Sequence, residues 1–270
     1  MKIGQVAKLL DMPVETIRFY EKNQILSPER KENSTYREFE VWEIFNLFEC
    51  LGYRGYGFSV RDVKRIMKDA SLQEITEMMN RQLEVICHKE DLLERQAREL
   101  KELQQLIMTA RHNIGKYWVE YSTRKVYVNC VLNINGRYEM LDPNNQVLRK
   151  WLGKAPFVKA GVLIDLDNLY DDPFIMQWVQ SVKEEDIEFA GLNREEIDGC
   201  CLEEGLYLTT IINMGEKGSV SSEMFVPAFE YMKKNGYQIT GQCYGEIFLR
   251  NYEEDGWHRY LKLMIPIMQK

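Results

Sequence analysis

Between Ser71 and Ile114 apolar side chains return every seven residues, at Met79, Ile86, Leu93, Leu100, Ile107 and Ile114. Leu103 and Ala110 add a second apolar position three residues on, and Leu83 one at four residues. A heptad pattern sustained this long predicts a single helix of about 40 residues, roughly 60 Å in length. Such a helix cannot bury its stripe alone, so a partner helix is required. Glu90 and Gln96 weaken the seam without ending it. Ser71-Leu72-Gln73-Glu74 marks the start as a capping box, with serine and glutamate each satisfying an orphan amide. The helix divides the 270 residues into a first part, 1–70, the helix itself, 71–119, and a last part, 120–270.

The three parts differ in charge. The chain carries 35 basic and 42 acidic side chains, a formal net of −7. Residues 1–70 hold 12 and 11 of these and residues 120–270 hold 16 and 23, so the acidity belongs to the last part. A neutral first segment and an acidic last one suggest different partners. Apolar residues at 45% exclude wholesale disorder. No run of about 18 apolar residues occurs, so no membrane span is expected. The start Met1-Lys2-Ile3-Gly4-Gln5 lacks a secretory signal, and the six cysteines form no C-x-x-C pair. Reduced thiols in a cytoplasmic protein are the expectation.

Residues 1–70 read as short helices. Ile3, Val6, Ala7 and Leu10 make one stripe, Asp11-Met12-Pro13 breaks the chain, and a second helix starts at Val14 with Ile17 inward. Two short helices with a tight turn form a helix-turn-helix, whose second helix fits a major groove about 12 Å wide. The turn-rich stretch from Leu26 to Arg37 suits a hairpin wing. A strongly apolar helix from Val41 to about Gly52 and a capped one after Ser59 complete this part.

Residues 120–270 alternate between strand and helix patterns. Val126–Val128 and Val158–Ile164 read as strands with a helix over Asn144–Leu152. The order recurs more clearly in Leu206–Ile212, the helix Ser221–Lys234 ended by Asn235-Gly236, and the strands Tyr244–Leu249 and Tyr260–Ile265. The fold class is therefore α+β, with a doubled βαββ unit at the end.

Ile3-Gly4-Gln5-Val6-Ala7, Thr16-Ile17-Arg18-Phe19-Tyr20-Glu21, Tyr36-Arg37-x-Phe39 and Gly57-Phe58-Ser59-Val60 together closely resemble the MerR family of transcription regulators. Asp11, Asn23 and Thr35 stand where that family usually has glycine. The last part resembles the GyrI-like effector-binding domain, most of all around Tyr244-x-Glu246. The resemblance implies an antiparallel homodimer on a palindromic promoter. It further implies distortion of the promoter spacer so that RNA polymerase holoenzyme engages both elements, and a DNA-bound activator without a cofactor.

Within that motif Arg18 and Arg37 are candidates for bidentate phosphate contacts, Tyr20 and Tyr36 for hydroxyl contacts, and Thr16 for the groove. Glu246 shares a strand face with Tyr244 and Phe248. A carboxylate among rings is costly unless a positive charge pairs with it, so a lipophilic cationic small molecule is the expected ligand. Tyr127, Tyr207, Phe225, Tyr244, Trp257 and Tyr260 are the candidate pocket walls. Two alternatives exist: a metal or redox sensor using Cys200-Cys201, or a GyrI-like hydrolase pairing Glu246 with Trp257. Scattered histidines and the lack of a third thiol near that pair argue against a metal site.

Overall fold

A computed structural model describes residues 1–30, 37–140, 146–165, 169, 171, 173–194, 200–215, 221–254 and 256–269. Its contacts fall into two compact units, Met1–Asp91 and Leu92–Lys270.

In the first unit α1 (Ile3–Leu9) and α2 (Val14–Lys22) are joined by the expected break. Asp11 turns the chain with φ +47°, a left-handed conformation that a short polar side chain tolerates, and Pro13 leads into α2. Two short strands follow, β1 (Glu29–Arg30) and β2 (Arg37–Glu38), paired antiparallel as a wing requires. Next come α3 (Val41–Gly55) and α4 (Val60–Lys68), the latter capped by Ser59, which accepts the Asp62 amide at 3.1 Å. Ile17, Tyr20, Ile25, Phe39, Leu47 and Val63 meet in one core. The helical stripes read from sequence are the ones that close over it.

The long helix α5 runs from Leu72 to Asn113. Ser71 and Glu74 form the expected reciprocal cap, with the Ser71 amide on the carboxylate at 2.8 Å and the Glu74 amide on the hydroxyl at 3.3 Å. Backbone hydrogen bonding from Ser71 comes first among the contacts that lower the Glu74 carboxyl to about 2, with Arg65 next. Leu83, Leu93, Leu100 and Met108 stay exposed along α5.

The second unit contains the end of α5 and one large antiparallel sheet. In chain order its elements are β3 (Trp118–Ser122), β4 (Lys125–Ile134), β5 (Arg137–Met140), α6 (Gln146–Trp151), β6 (Lys159–Ile164) and β7 (Ile175–Lys183). They continue as β8 (Cys201–Leu202), β9 (Gly205–Asn213), α7 (Val226–Lys234), β10 (Tyr237–Ile239), β11 (Cys243–Glu253) and β12 (Gly256–Gln269). The strand order is β3-β9-β12-β11-β6-β7-β4-β5, with β10 on β12 and β8 on β4. The doubled pattern is visible here. β4-α6-β6-β7 and β9-α7-β11-β12 repeat one connectivity, and the halves meet where β6 pairs with β11.

Alternation along the strands sends Val162, Ile164, Leu208, Leu261, Leu263 and Ile265 to one face, where they pack with Phe225, Ala228 and Met232 from the α7 side. The residues between them form the opposite face. Ala110 and Leu106 of α5 lie against that face with Ile211 and Tyr260. Gly161 is needed at the seam, because a Cβ there would stand 2.4 Å from the Tyr244 ring and 2.8 Å from the Gly245 carbonyl.

Candidate functional site

On α2 the 3.6-residue period separates two kinds of side chain. Ile17 and Tyr20 are buried, Thr16 is half-buried, and Arg18, Phe19 and Lys22 are exposed. Arg18 and Lys22 lie four residues apart and so line one side of the helix. Tyr20 does not join them. It is 7% exposed, and burial first, then Cys50, raises its hydroxyl pKa against the opposing Arg54. The sequence reading of Tyr20 as a phosphate contact is therefore corrected to core packing. Tyr36 lies outside the described residues, and for Arg37 only the backbone in β2 is described.

In the second unit the face opposite α7 carries charge. The registers place Glu246 opposite Lys262 on β12 and Gly161 on β6, and Lys159 opposite Ser181 on β7. Lys183 stands opposite Lys125 on β4. Four lysines thus share a largely buried face with Glu120 and Glu246. Lys159 Nζ is 3.3 Å from the Glu246 carboxylate, and Lys262 Nζ is 2.6 Å from that of Glu120. Glu99 of α5 adds a carboxylate, 2.8 Å from Lys159 and 2.5 Å from Lys183, with Glu102 3.1 Å from Lys183. Burial opposes the charge on Lys159 and Lys183, but the surrounding carboxylates outweigh it and raise both pKa values. Glu99 shows the converse: burial works against it, and the two lysines still hold it below the usual range.

Lys125 is the exception. It is 8% exposed, donates to Ser122 Oγ at 3.1 Å, and lies 5.5 Å from the Tyr244 ring centroid. Burial lowers its pKa to about 8, with Glu246 the principal opposing charge.

The candidate walls separate in this structure. Tyr244 and Tyr207 are buried in one cluster with Leu163 and Met264, and Tyr127 packs against it. Tyr244 Oη shares a 2.7 Å hydrogen bond with Ser181 Oγ. Burial raises the hydroxyls of Tyr207 and Tyr127 to about 12. Tyr207 and Leu202 also line a cleft of about 510 Å³ with Gln242, whose Oε1 accepts from Tyr127 Oη at 3.1 Å. Tyr260 is buried beside Ala110 and lines a second cleft of about 330 Å³ with Arg111 and Glu253.

Phe225 belongs to the other face, packed 6.2 Å from Phe174, because the turn before α7 points it inward. Trp257 is 41% exposed and pairs with Tyr252, five positions from the register partner of Glu246. At about 3.3 Å per residue that is roughly 16 Å along β12. Neither residue joins Glu246, and the Glu246–Trp257 arrangement of a hydrolase is not formed. A further correction concerns charge: the positive partner that Glu246 needs is Lys159, not a ligand. The four lysines were the residues missed. Their signal was present in Lys262, set between leucines in Leu261-Lys262-Leu263, and in Lys159, two residues before a glycine in an apolar strand.

Among the described residues no group of three His, Cys, Asp or Glu side chains is placed to hold a metal ion, and no helix is long and apolar enough to cross a membrane. Cys201 Sγ faces Glu203 at 3.0 Å.

Residues 2–39, which span α1, α2 and the wing, match the MerR family regulatory protein profile. The multidrug-efflux transporter 2 regulator of Bacillus subtilis (strain 168) is 22% identical over 98% of this chain and 96% of its own length. The HTH-type transcriptional regulator HmrR of Rhizobium leguminosarum bv. viciae is 29% identical over 40% of this chain and 81% of its own. Among solved structures, that of EcmrR in complex with DNA is 15% identical, covers both chains fully and superposes with a TM-score of 0.38. The family match lies on the helix pair and wing just described, and that part of the chain is similar to the MerR family regulatory proteins.

Proposed function

We propose that this chain is a ligand-responsive transcription activator that binds promoter DNA as a homodimer. The observation that carries the DNA reading is α2, which buries Ile17 and presents Arg18 and Lys22 beside a half-buried Thr16. A helix in the major groove with arginine on phosphate, and Arg37 on the wing, fixes register on the duplex. The exposed heptad residues Leu93 and Leu100 support dimerisation through α5. An antiparallel pair sets the separation of the two half-sites. Distortion of the spacer between them, at a cost of several kcal/mol offset by phosphate contacts, brings both promoter elements to RNA polymerase.

The effector is a lipophilic small molecule received by the second unit. Support comes from the full-length relative, whose name ties it to a multidrug-efflux transporter, and from the cluster of Tyr127, Tyr207 and Tyr244, the last of which shares a strand face with Glu246. The positive charge expected of the ligand is not carried forward, since Lys159 already pairs with Glu246. The role is binding rather than turnover, because Trp257 is remote from Glu246.

The test is selection of duplexes from a random library by the purified chain, followed by titration of the recovered site at several salt concentrations. Recovery of an inverted repeat with a steep salt dependence supports the reading. Recovery of unrelated sequences overturns it.

A further inference from the structure

The charged sheet face is unbalanced without α5. Among the described residues the strands supply Lys125, Lys159, Lys183 and Lys262 but only Glu120 and Glu246 among the carboxylates that pair there. Glu120 takes Lys262 and Glu246 takes Lys159, which leaves Lys125 and Lys183 with no strand-borne acid within 4.0 Å among the described residues. The missing negative charge arrives on a helix. Glu99 is 3% exposed, and its two oxygens reach Lys159 and Lys183 separately. A carboxylate held between two ammonium groups in this way has the geometry of a bound acid.

Buried ion pairs seldom add net stability over apolar packing, so this cluster is a poor way of merely fastening a helix. Lys125 strengthens the point. It is nine-tenths buried, has no carboxylate within ion-pair distance among the described residues, and stands on the same face as the other lysines. With Glu99 and Glu102 both supplied by α5, the four lysines face four carboxylates, and half of that negative charge depends on where the helix sits. Tyr244, Leu163 and Met264 are buried on the same face as these lysines, so an occupant that takes the place of Glu99 meets aromatic and apolar side chains beside the ammonium groups.

We propose that the inner sheet face of the second unit binds the acid group of an aromatic carboxylate between Lys159 and Lys183, where Glu99 of α5 sits in this structure, so that ligand and helix compete for one position. This rests on the reading of the second unit as the effector-binding part and replaces a cation with an organic anion as its ligand class. Competition also supplies a switch. A ligand that displaces Glu99 breaks the contacts of α5 with Lys159 and Lys183, and α5 is the helix that continues into the first unit.

The experiment is calorimetric titration of the full chain with 2-naphthoate and, separately, with 2-naphthylmethylammonium, for the unaltered protein, Glu99→Gln and Lys183→Met. Glu99→Gln removes the competing charge and keeps the shape. Naphthoate is expected to bind it about tenfold to a hundredfold more tightly than the unaltered chain, the range that a charge-assisted contact spans. Lys183→Met is expected to weaken naphthoate by a similar factor, with the ammonium compound unaffected throughout. Thermal melts verify that each variant is folded, and Glu99→Asp, which shortens the reach to the lysines, serves if Glu99→Gln is not. Naphthoate affinity unmoved by both Glu99 variants overturns the proposal. So does tighter binding of the ammonium compound, or no naphthoate binding to Glu99→Gln at millimolar concentration. Binding of ligand-free protein to the selected duplex is measured in parallel. Intact DNA binding with a failed naphthoate result overturns the anion site alone, whereas absent DNA binding overturns the regulator reading.

Discussion

Replacing Lys125 with methionine tests the charged face through stability. The lysine is buried, its pKa falls from 10.5 to about 8, and burial is the main cause. At about 1.36 kcal/mol per pH unit, keeping it protonated at pH 7 costs the folded state roughly 3 kcal/mol. Methionine fills similar space without charge, and the lost hydrogen bond to Ser122 subtracts about 1 kcal/mol. A net gain of about 2 kcal/mol at pH 7 follows. The sign with pH is fixed. Between about pH 8 and 10.5 the unfolded chain binds more protons than the folded one, so the unaltered protein gains stability as pH rises. The advantage of Lys125→Met must therefore shrink by more than half between pH 7 and 9.5. Urea unfolding followed by tryptophan fluorescence measures it in a Trp42→Phe background, which leaves Trp118, Trp151, Trp178 and Trp257, all in the second unit. A variant that is less stable than the parent at pH 7, or an advantage that does not change with pH, would refute the reasoning and mean that the ammonium is well compensated. A gain in stability with a loss of naphthoate affinity is the pattern of a residue kept for binding.

Three other outcomes follow from named contacts. Arg18→Ala is expected to weaken selected and random duplexes alike and to lower the slope of log K against log salt by about one, as fluorescence anisotropy at several salt concentrations reads directly. Leu93→Asp with Leu100→Asp puts charge in the exposed seam of α5 and is expected to give monomers in sedimentation with operator affinity lost; a dimer would place the association surface elsewhere. Gly161→Ala is expected to destabilise the second unit by about 1–3 kcal/mol in the same urea assay, because its Cβ meets the Tyr244 ring and the fixed Gly245 carbonyl, and an unchanged midpoint would mean that β6 and β11 can separate locally.

Much of the architecture was legible because it rests on periodicity. The heptads, the capping box at Ser71–Glu74 and the break at Asp11-Met12-Pro13 each act through local chemistry that a sequence displays. The doubled βαββ order was legible for the same reason, as strand and helix patterns repeat in both halves. The charged face was not. Lys159, Lys183 and Glu246 come from three strands, and Glu99 comes from a helix some 60 residues before the nearest of them, so only the register of the sheet brings them together. Alternation alone gave the face shared by Glu246 and Tyr244 and said nothing of what lay across the neighbouring strand. Phe225 and Trp257 failed for a related reason: an aromatic residue on a patterned segment has two faces to choose from, and packing against α7 or the end of a hairpin decided them. Tyr20 shows the same limit on a helix, where its position beside Arg18 concealed that it points into the core next to Cys50.

The most direct measurement is DNA affinity of the full chain for its selected duplex with and without saturating 2-naphthoate, in the unaltered protein and in Glu99→Gln. If α5 links an acid-binding sheet to a DNA-binding helix pair, naphthoate changes the affinity or promoter distortion of the unaltered chain, and Glu99→Gln shows much of that change without ligand. DNA binding that responds to neither naphthoate nor Glu99→Gln would contradict the account.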